Sequence, residues 1–155
     1  MKVSIITVSF NAASTLKQTI ESVLAQDYPN IEYWVIDGGS TDGTKELLES
    51  YGSRIHYISE PDRGIYDAFN KGLARVTGEF VGVIGADDFY PTPDVIRSVV
   101  DTFDREQVDS VYGDLQFIDP ESLKVVRQWK AGAYKQSSWL WGWMPPPPAF
   151  FVKRS

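Results

Sequence analysis

The sequence predicts an α/β fold in which a mostly parallel sheet is flanked by helices, with a small antiparallel addition near the C-terminus. Segments rich in β-branched residues alternate with segments whose apolar residues recur at helical spacing. The strand segments are apolar almost without interruption, which is typical of parallel strands covered on both faces. Such alternation implies strand–helix–strand units wound around one sheet.

Four strands are predicted before residue 86, and each is followed by a polar turn or a proline. Pro29 precedes the second strand and Pro61 ends the third. Because the strands contain few charged residues, we expect them to be buried. The predicted strands are VSIITVS (3–9), IEYWVID (31–37), RIHYISE (54–60) and EFVGVIG (79–85).

Helices are predicted between and after these strands from the spacing of apolar residues. Ser14 is placed to cap the first of them. Leu47 and Leu48 mark a second helix, and one apolar stripe runs from Gly64 to about Thr77. The last helix, PDVIRSVVDTF (93–103), has a proline near its start.

The C-terminal third departs from the alternation. The segments SVYGDLQFI and KVVRQWK resemble an antiparallel pair around the turn DPESL. The chain then ends on WLWGWMPPPPAFFVKRS, an apolar run with two basic residues and no polar tail. We therefore expect residues 1–155 to be a single domain that is C-terminally truncated.

Composition excludes several function classes. The net charge is −6 and basic residues are scattered, so a nucleic-acid partner is not expected. The chain has no cysteine and one histidine, His56, which excludes thiolate or multi-histidine zinc sites and a Ser–His pair. No segment has the length of a membrane span or the pattern of a signal peptide. We expect a cytoplasmic protein, and membrane-associated partners remain open.

Carboxylates follow the strands at the edge where ligands bind in open α/β sheets. They are Asp37, Glu60 with Asp62, and Asp87 with Asp88, and Arg63 stands beside them as a counter-charge. The turn DGGSTDGT (37–44) would let the backbone approach a ligand, but the same residues also form ordinary turns. It matches neither a Walker loop nor a dinucleotide-binding fingerprint.

The adjacent pair Asp87 and Asp88 comes directly after a buried strand. Two neighbouring carboxylates suit a hard divalent cation that bridges phosphate oxygens. They also suit a solvated acidic turn, which Pro91 and Pro93 would favour. The pair by itself leaves both interpretations open.

Several motifs taken together resemble the family-2 glycosyltransferases, which have the Rossmann-like GT-A fold that binds nucleotide sugars. Residues 3–44 are similar to the opening of these enzymes, and residues 60–88 continue the similarity into the Asp-x-Asp-like motif GADD. PPPPAFFVKRS resembles a later segment. The motifs occur in the expected order across essentially the whole chain, and they most resemble the bacterial branch that builds capsule, exopolysaccharide or lipopolysaccharide.

The resemblance implies a metal-dependent, inverting transfer of sugar from a nucleoside diphosphate sugar to a saccharide or lipid-linked acceptor. UDP-sugars are the favoured donors. The protein would work in the cytoplasm, and a lipid-linked acceptor would bring it to the inner face of the cell membrane. The same motifs imply a role at the nucleotide for Thr7, Val8 and Ser9 along the base and ribose, and for Asp37 with Gly38 at the nucleoside.

The remaining implied roles concern the diphosphate and the metal. Asp88 would ligate Mg²⁺ or Mn²⁺, and Asp87 would contact the ribose or sugar. Arg63 would approach the phosphates, although a surface salt bridge is an equal alternative. The helix segment from Asp67 to Asn70 would close the nucleotide pocket.

The sequence also departs from the family pattern. Many relatives carry two acidic residues after the second strand, where this chain has Asp37 and Gly38, and position 85 is glycine where relatives often have aspartate. The catalytic residue is not identified, because the resemblance places the general base beyond Ser155. We therefore expect nucleotide binding and little turnover from this chain.

Other candidates and other functions stay open. Asp114 could face a sugar or serve a structural role, and Trp139, Trp141 and Trp143 could stack on sugars or pack on the core. A binding module without catalytic activity is the main alternative to the enzyme. A sugar nucleotidyltransferase is disfavoured because TVSFNAAS lacks glycine and a cation, and a receiver-like domain would need a lysine at a later strand end. Oligomeric state is not predicted.

Overall fold

The chain folds as a sheet with helices on both faces, as the sequence predicts. The structure, a computed structural model, describes residues 1–154, and of Ser138 and Trp139 it describes only the backbone. The strands are β1 (Val3–Ser9), β2 (Ile31–Asp37), β3 (His56–Ser59), β4 (Phe80–Gly85), β5 (Ser110–Tyr112), β6 (Leu115–Ile118), β7 (Val125–Trp129) and β8 (Phe150–Lys153).

Strands β1 to β4 form the parallel part of the main sheet. Within the described residues the order of this six-stranded sheet is β3-β2-β1-β4-β8-β5, and β8 runs antiparallel to both of its neighbours. Strands β6 and β7 form a separate antiparallel hairpin. The predicted class, a mostly parallel sheet with a small antiparallel addition, is confirmed.

In the part of the chain that the structure describes, four α-helices cover the sheet. They are α1 (Leu16–Leu24), α2 (Thr44–Ser50), α3 (Ile65–Leu73) and α4 (Val95–Glu106). Helices α1, α2 and α4 pack on one face, where Ile5 of β1 points, and α3 packs on the other face, where Ile6 points. Helix α3 lies so close to the sheet that a β-carbon at Gly72 would come within 2.8 Å of the Ile6 side chain, and the glycine makes this approach possible. Short 3-10 helices lie at Gly52–Arg54, Gln136–Trp141 and Pro147–Ala149.

The C-terminal third corrects the sequence interpretation. The predicted strand SVYGDLQFI is divided: β5 joins the main sheet beside β8, and only β6 pairs with β7. Strand β8, which was not predicted, fits next to β4 because the ring of Phe151 lies over Gly82. A β-carbon at Gly82 would lie 2.3 Å from that ring.

Helix α1 has Thr15 rather than Ser14 at its N-cap, and no side chain caps it. None of the helices in residues 1–154 combines the length and the apolar character that crossing a membrane requires.

Candidate functional site

The carboxyl ends of the four parallel strands lie side by side. Ser59 of β3 is paired with Asp37 of β2, and Asp37 with Ser9 of β1. Val8 of β1 is paired with Gly85 of β4. At about 4.8 Å per strand, the row spans roughly 14 Å from β3 to β4. The predicted site residues therefore belong to one edge of the sheet.

Asp37 is fully buried and has its acceptor capacity filled by the protein. It accepts hydrogen bonds from the hydroxyls of Ser9, Ser40 and Ser59 and from the backbone N–H groups of Gly39 and Ser40. Burial alone would raise the pKa of this carboxyl, but the hydrogen bonds from Ser40, Ser59 and Ser9 lower it below its ordinary value. Asp37 thus ties three strand ends together, and its contact with a nucleoside stays a prediction.

Asp87 and Asp88 differ from Asp37, whose carboxylate accepts hydrogen bonds from three hydroxyls. Among the residues that the structure describes, no side chain donates a hydrogen bond to the carboxylate of Asp87 or Asp88. Their carboxylates converge over Gly85, where a β-carbon would lie 2.7 Å from Oδ2 of Asp88 and 3.1 Å from Oδ1 of Asp87. Burial, and after it the charge of Asp87, raise the pKa of Asp88 above its ordinary value. In residues 1–154 neither carboxylate takes part in a salt bridge.

The main chain under this pair is held by helix α1. The Thr19 hydroxyl, which is fully buried, donates to the carbonyl oxygen of Asp88 at 2.7 Å. The Ser22 hydroxyl accepts from the backbone N–H of Tyr90 at 3.1 Å. The loop is therefore fixed at Asp88 and at Tyr90, while the carboxylate of Asp88 has no cationic partner in residues 1–154.

A cavity of about 470 Å³ opens between β1, the end of β2 and the start of α3. Of the residues predicted to contact the nucleotide, Val8, Ser9 and Gly38 line it. Thr7 does not, because its side chain is buried in the core and its hydroxyl lies 3.0 Å from the Tyr33 hydroxyl. A contact between Thr7 and a ligand would have to come from its backbone.

Helix α3 reaches the cavity through Ala68, which lies within the predicted segment from Asp67 to Asn70, and through Ile65, which lies before that segment. Gly64 before the helix also lines it. Asp67 instead accepts a hydrogen bond from the backbone N–H of Arg63 and lies 3.8 Å from Nζ of Lys71. Asn70 is exposed.

The Arg63 side chain is also exposed, and within the described part of the chain it forms no salt bridge. The equal alternative of a surface salt bridge for Arg63 is therefore not realised. The ligand contacts assigned to Arg63, Asp67 and Asn70 stay predictions.

Phe10 and Asp62 also line this cavity and were not assigned to the site from the sequence. Phe10 leaves 67% of its surface exposed. Asp62 was counted among the strand-end carboxylates, but nothing in the sequence separated it from Glu60. The signal that could have found both is their place after the two strands next to β2: Phe10 directly follows β1, and Asp62 is the third residue after β3.

A larger cavity of about 750 Å³ is lined in part by Asp87 and Asp88. Asp114 lines it, and its Oδ1 also accepts a hydrogen bond from the backbone N–H of Ala131 at 2.9 Å. Its lining also includes the apolar side chains of Val95, Val99 and Phe151. The cavity therefore combines polar groups with apolar side chains.

The tryptophans differ in their surroundings, and their contact with sugars stays a prediction. Trp143 packs against Tyr112, and its indole N–H donates to the carbonyl oxygen of Ala131. Trp141 is 88% exposed. The side chain of Trp139 lies outside the described part of the structure.

Comparison with known proteins identifies the fold and the family. Residues 4–152 match the model of Glycosyl transferase family 2. A curated relative from Nostoc sp., named uncharacterized glycosyltransferase alr2836, is 36% identical over 123 residues, which are 77% of this chain and 38% of the relative. A protein from Mycobacterium bovis named PGL/p-HBAD biosynthesis glycosyltransferase is 33% identical over 72% of this chain and 46% of its own length. The chain thus spans less than half the length of these relatives.

Solved structures agree with the expected GT-A fold. TarS of S. aureus (residues 1–349), solved in complex with UDP-GlcNAc, superposes with a TM-score of 0.70 at 22% identity over 80% of this chain and 37% of that one. The mannosyltransferase PcManGT of Pyrobaculum calidifontis, solved with GDP-Man and Mn²⁺, superposes with a TM-score of 0.67 at 26% identity over 79% of this chain and 37% of that one.

Proposed function

The chain belongs to glycosyl transferase family 2, and we propose that it takes the sugar of a nucleoside diphosphate sugar and transfers it, with inversion and with Mg²⁺ or Mn²⁺, to an acceptor. The acceptor class we propose is a saccharide or a lipid-linked saccharide of a bacterial surface polysaccharide. With a lipid-linked acceptor, the protein would work at the cytoplasmic face of the membrane. UDP-sugars are the favoured donors.

The observation that carries this proposal is the state of Asp87 and Asp88. Two carboxylates converge at the strand edge, one of them half-buried with a raised pKa, and no cation of the described chain offsets their charge. Such a pair is costly for the fold alone and suits a cation brought by a ligand.

The donor set fits a divalent ion of the magnesium type. Residues 1–154 contain no cluster of three or more His, Cys, Asp or Glu side chains that could hold a metal. Mg²⁺ commonly takes one or two carboxylates and completes its shell with phosphate oxygens and water. Asp88 would hold the ion and Asp87 would lie beside it. When bound, the ion would neutralise charge on the departing diphosphate.

In this proposal the two cavities bind different parts of the substrates. The smaller one, with Phe10 and Ile65 at its walls, would hold the nucleoside. The larger one adjoins Asp87 and Asp88 and would hold the sugar and the acceptor, with Asp114 as a hydrogen-bonding group. Excluding water from both would favour transfer over hydrolysis.

The general base that accepts the proton of the acceptor hydroxyl is not assigned to a residue of this chain. The resemblance to the family implies that it lies outside residues 1–155. We propose that the chain by itself binds nucleotide sugars and turns them over slowly. A turnover assay with radiolabelled donor tests this part, because substantial transfer by the chain alone would contradict it.

Calorimetric titration tests the binding proposal. UDP, UDP-GlcNAc, GDP and GDP-mannose are titrated with and without Mn²⁺ into the wild type, Asp88→Asn and Asp104→Asn. Asp104 is an exposed residue of α4 and serves as the control for loss of one charge. We expect Mn²⁺-dependent binding that Asp88→Asn weakens about 10- to 100-fold and Asp104→Asn leaves unchanged. Absence of binding to all four, or equal binding by Asp88→Asn, would overturn the proposal.

A further inference from the structure

Gly38 and Asp62 compete for one position in the smaller cavity. Gly38 directly follows β2, and a β-carbon added there would lie 2.7 Å from Oδ2 of Asp62 and 3.2 Å from the ring of Phe10. The carboxylate of Asp62 thus occupies space that a side chain at position 38 would enter. The glycine at position 38 is what allows the loop after β3 to bring a carboxylate into the cavity.

Asp62 is held in this place by its own surroundings. Its Oδ1 accepts a hydrogen bond from the backbone N–H of Gly64 at 2.8 Å. The segment before it is tied to β2 by a hydrogen bond from the Glu60 N–H to the carbonyl oxygen of Asp37, at 3.0 Å. Oδ2 accepts no hydrogen bond from the residues that the structure describes, although Asp62 is half-buried and lines the cavity.

We propose that Oδ2 of Asp62 accepts a hydrogen bond from the ring N–H of the nucleobase and thereby selects the base. Uracil and guanine carry a hydrogen at this ring nitrogen, whereas cytosine and adenine carry a lone pair that a carboxylate repels. Phe10, with its exposed ring beside Gly38, supplies an apolar face for the base. The inference rests on the proposed function, because it assigns a specificity-determining residue to the same nucleotide site.

The geometry also predicts that the carboxylate can be moved. Gly38 has no positive φ, so its backbone accepts an L-residue, and the nearest atoms in the way belong to the side chain of Asp62 and the ring of Phe10. Gly38→Asp alone would force two carboxylates together and weaken binding. Gly38→Asp combined with Asp62→Ala would place one carboxylate at the same position from the neighbouring loop.

The test is calorimetric titration of UDP, GDP, CDP and ADP with Mn²⁺ into the wild type and four variants. Asp62→Asn keeps the acceptor for the Gly64 N–H and replaces Oδ2 by a donor. Glu60→Gln removes a nearby exposed carboxylate that is paired with Lys71, and it is the matched control. Gly38→Asp and Gly38→Asp/Asp62→Ala complete the set, and circular dichroism checks that each is folded.

We expect the wild type to prefer UDP or GDP over CDP and ADP. Asp62→Asn should weaken binding of the preferred nucleotide about 10- to 100-fold, while CDP gains relative to UDP because an amide N–H can donate to cytosine. The double variant should recover affinity lost in Gly38→Asp, and Glu60→Gln should keep the wild-type ranking.

Two results would overturn the assignment and can be told apart. If the wild type binds none of the four nucleotides, the proposed function itself is wrong. If the wild type binds them but Asp62→Asn keeps the affinity and the ranking within about twofold, nucleotide binding stands and Asp62 does not read the base.

Discussion

The two ends of the parallel sheet treat their carboxylates in opposite ways. At the amino ends, Glu32 accepts hydrogen bonds from the Ser4 hydroxyl, from the backbone and side chain of Thr77, and from Lys2. Burial would raise the pKa of Glu32, but these bonds lower it to about 2. At the carboxyl ends, Asp88 lies against Asp87, and burial raises its pKa. At the amino ends the carboxylate of Glu32 stabilises the fold, whereas at the carboxyl ends the carboxylate of Asp88 stays available for a ligand.

Asp37 shows that position alone does not decide which kind a carboxylate is. It belongs to the same edge as Asp88, yet five protein donors fill its oxygens. What separates Asp88 from Asp37 and Glu32 is acceptor capacity that no donor side chain of the described fold fills. A carboxylate that is costly in the ligand-free fold is the better candidate for binding.

The largest effect on stability is expected at Asp37. Asp37→Ala leaves two backbone N–H groups and three hydroxyls near a buried position without their acceptor, so we expect the free energy of unfolding to fall by about 3 kcal/mol. Urea denaturation measures this change. Asp104→Ala, at an exposed position of α4, should change it by less than about 0.5 kcal/mol. A loss below about 1 kcal/mol for Asp37→Ala would mean that Asp37 is not a structural tie.

Glu32→Gln is expected to cost about 2 kcal/mol at neutral pH. The fixed N–H of Thr77 holds the amide oxygen on one side, so the amide NH₂ must face the ammonium group of Lys2. Urea denaturation at pH 7 measures the change. A variant as stable as the wild type would show that the carboxylate charge contributes nothing at this end.

The lowered pKa of Glu32 also predicts how the free energy of unfolding depends on pH. Because its pKa is lower in the folded protein than the ordinary value of 4.5, the contribution of Glu32 is complete above about pH 4.5 and is lost as the pH falls towards about 2. We expect the free energy of unfolding to decrease over this range, and to decrease less in Glu32→Gln. Denaturation curves at several pH values measure both, and parallel curves would contradict the assignment.

Thr7→Val tests whether the side chain of Thr7 stabilises the core or contacts the nucleotide. The hydroxyls of Thr7 and Tyr33 are buried partners, so we expect a loss of about 1 kcal/mol in the free energy of unfolding. We expect no change in UDP affinity, because the side chain points into the core. A tenfold loss of UDP affinity at unchanged stability would restore Thr7 to the nucleotide site.

Much of the fold could be predicted from local pattern. Strands β1 and β2 were predicted with the bounds that the structure shows, because continuous apolar runs between turns have few other solutions. Strand β8 was not predicted, because AFFVK pairs with strands distant in sequence. Its pairing also depends on the space that Gly82, which has no side chain, leaves for the ring of Phe151. Long-range fit of this kind leaves no local signal.

The candidate site could likewise be predicted only in part. The strand-end rule brought Asp37, Asp87 and Asp88 to one edge, and the register confirms that their strands end there together. It could not tell that hydrogen bonds fill the oxygens of Asp37, that Thr7 faces the core, or that Asp62 enters the cavity. Those facts depend on side-chain direction and on which donors lie nearby.

Asp88→Asn is expected to give the smallest change in the free energy of unfolding, and it is the only one of these variants expected to be more stable than the wild type. Asparagine keeps the shape of the side chain but removes a half-buried charge that faces Asp87, so the ligand-free protein should gain about 0.5 kcal/mol in the free energy of unfolding. Urea denaturation without metal measures the gain, with Asp104→Asn as the control. If Asp88→Asn instead loses 1 kcal/mol or more, the carboxylate is structural and the contrast between the two ends of the sheet fails. A gain in stability together with lost Mn²⁺-dependent binding would be hard to explain unless the charge is retained for a ligand.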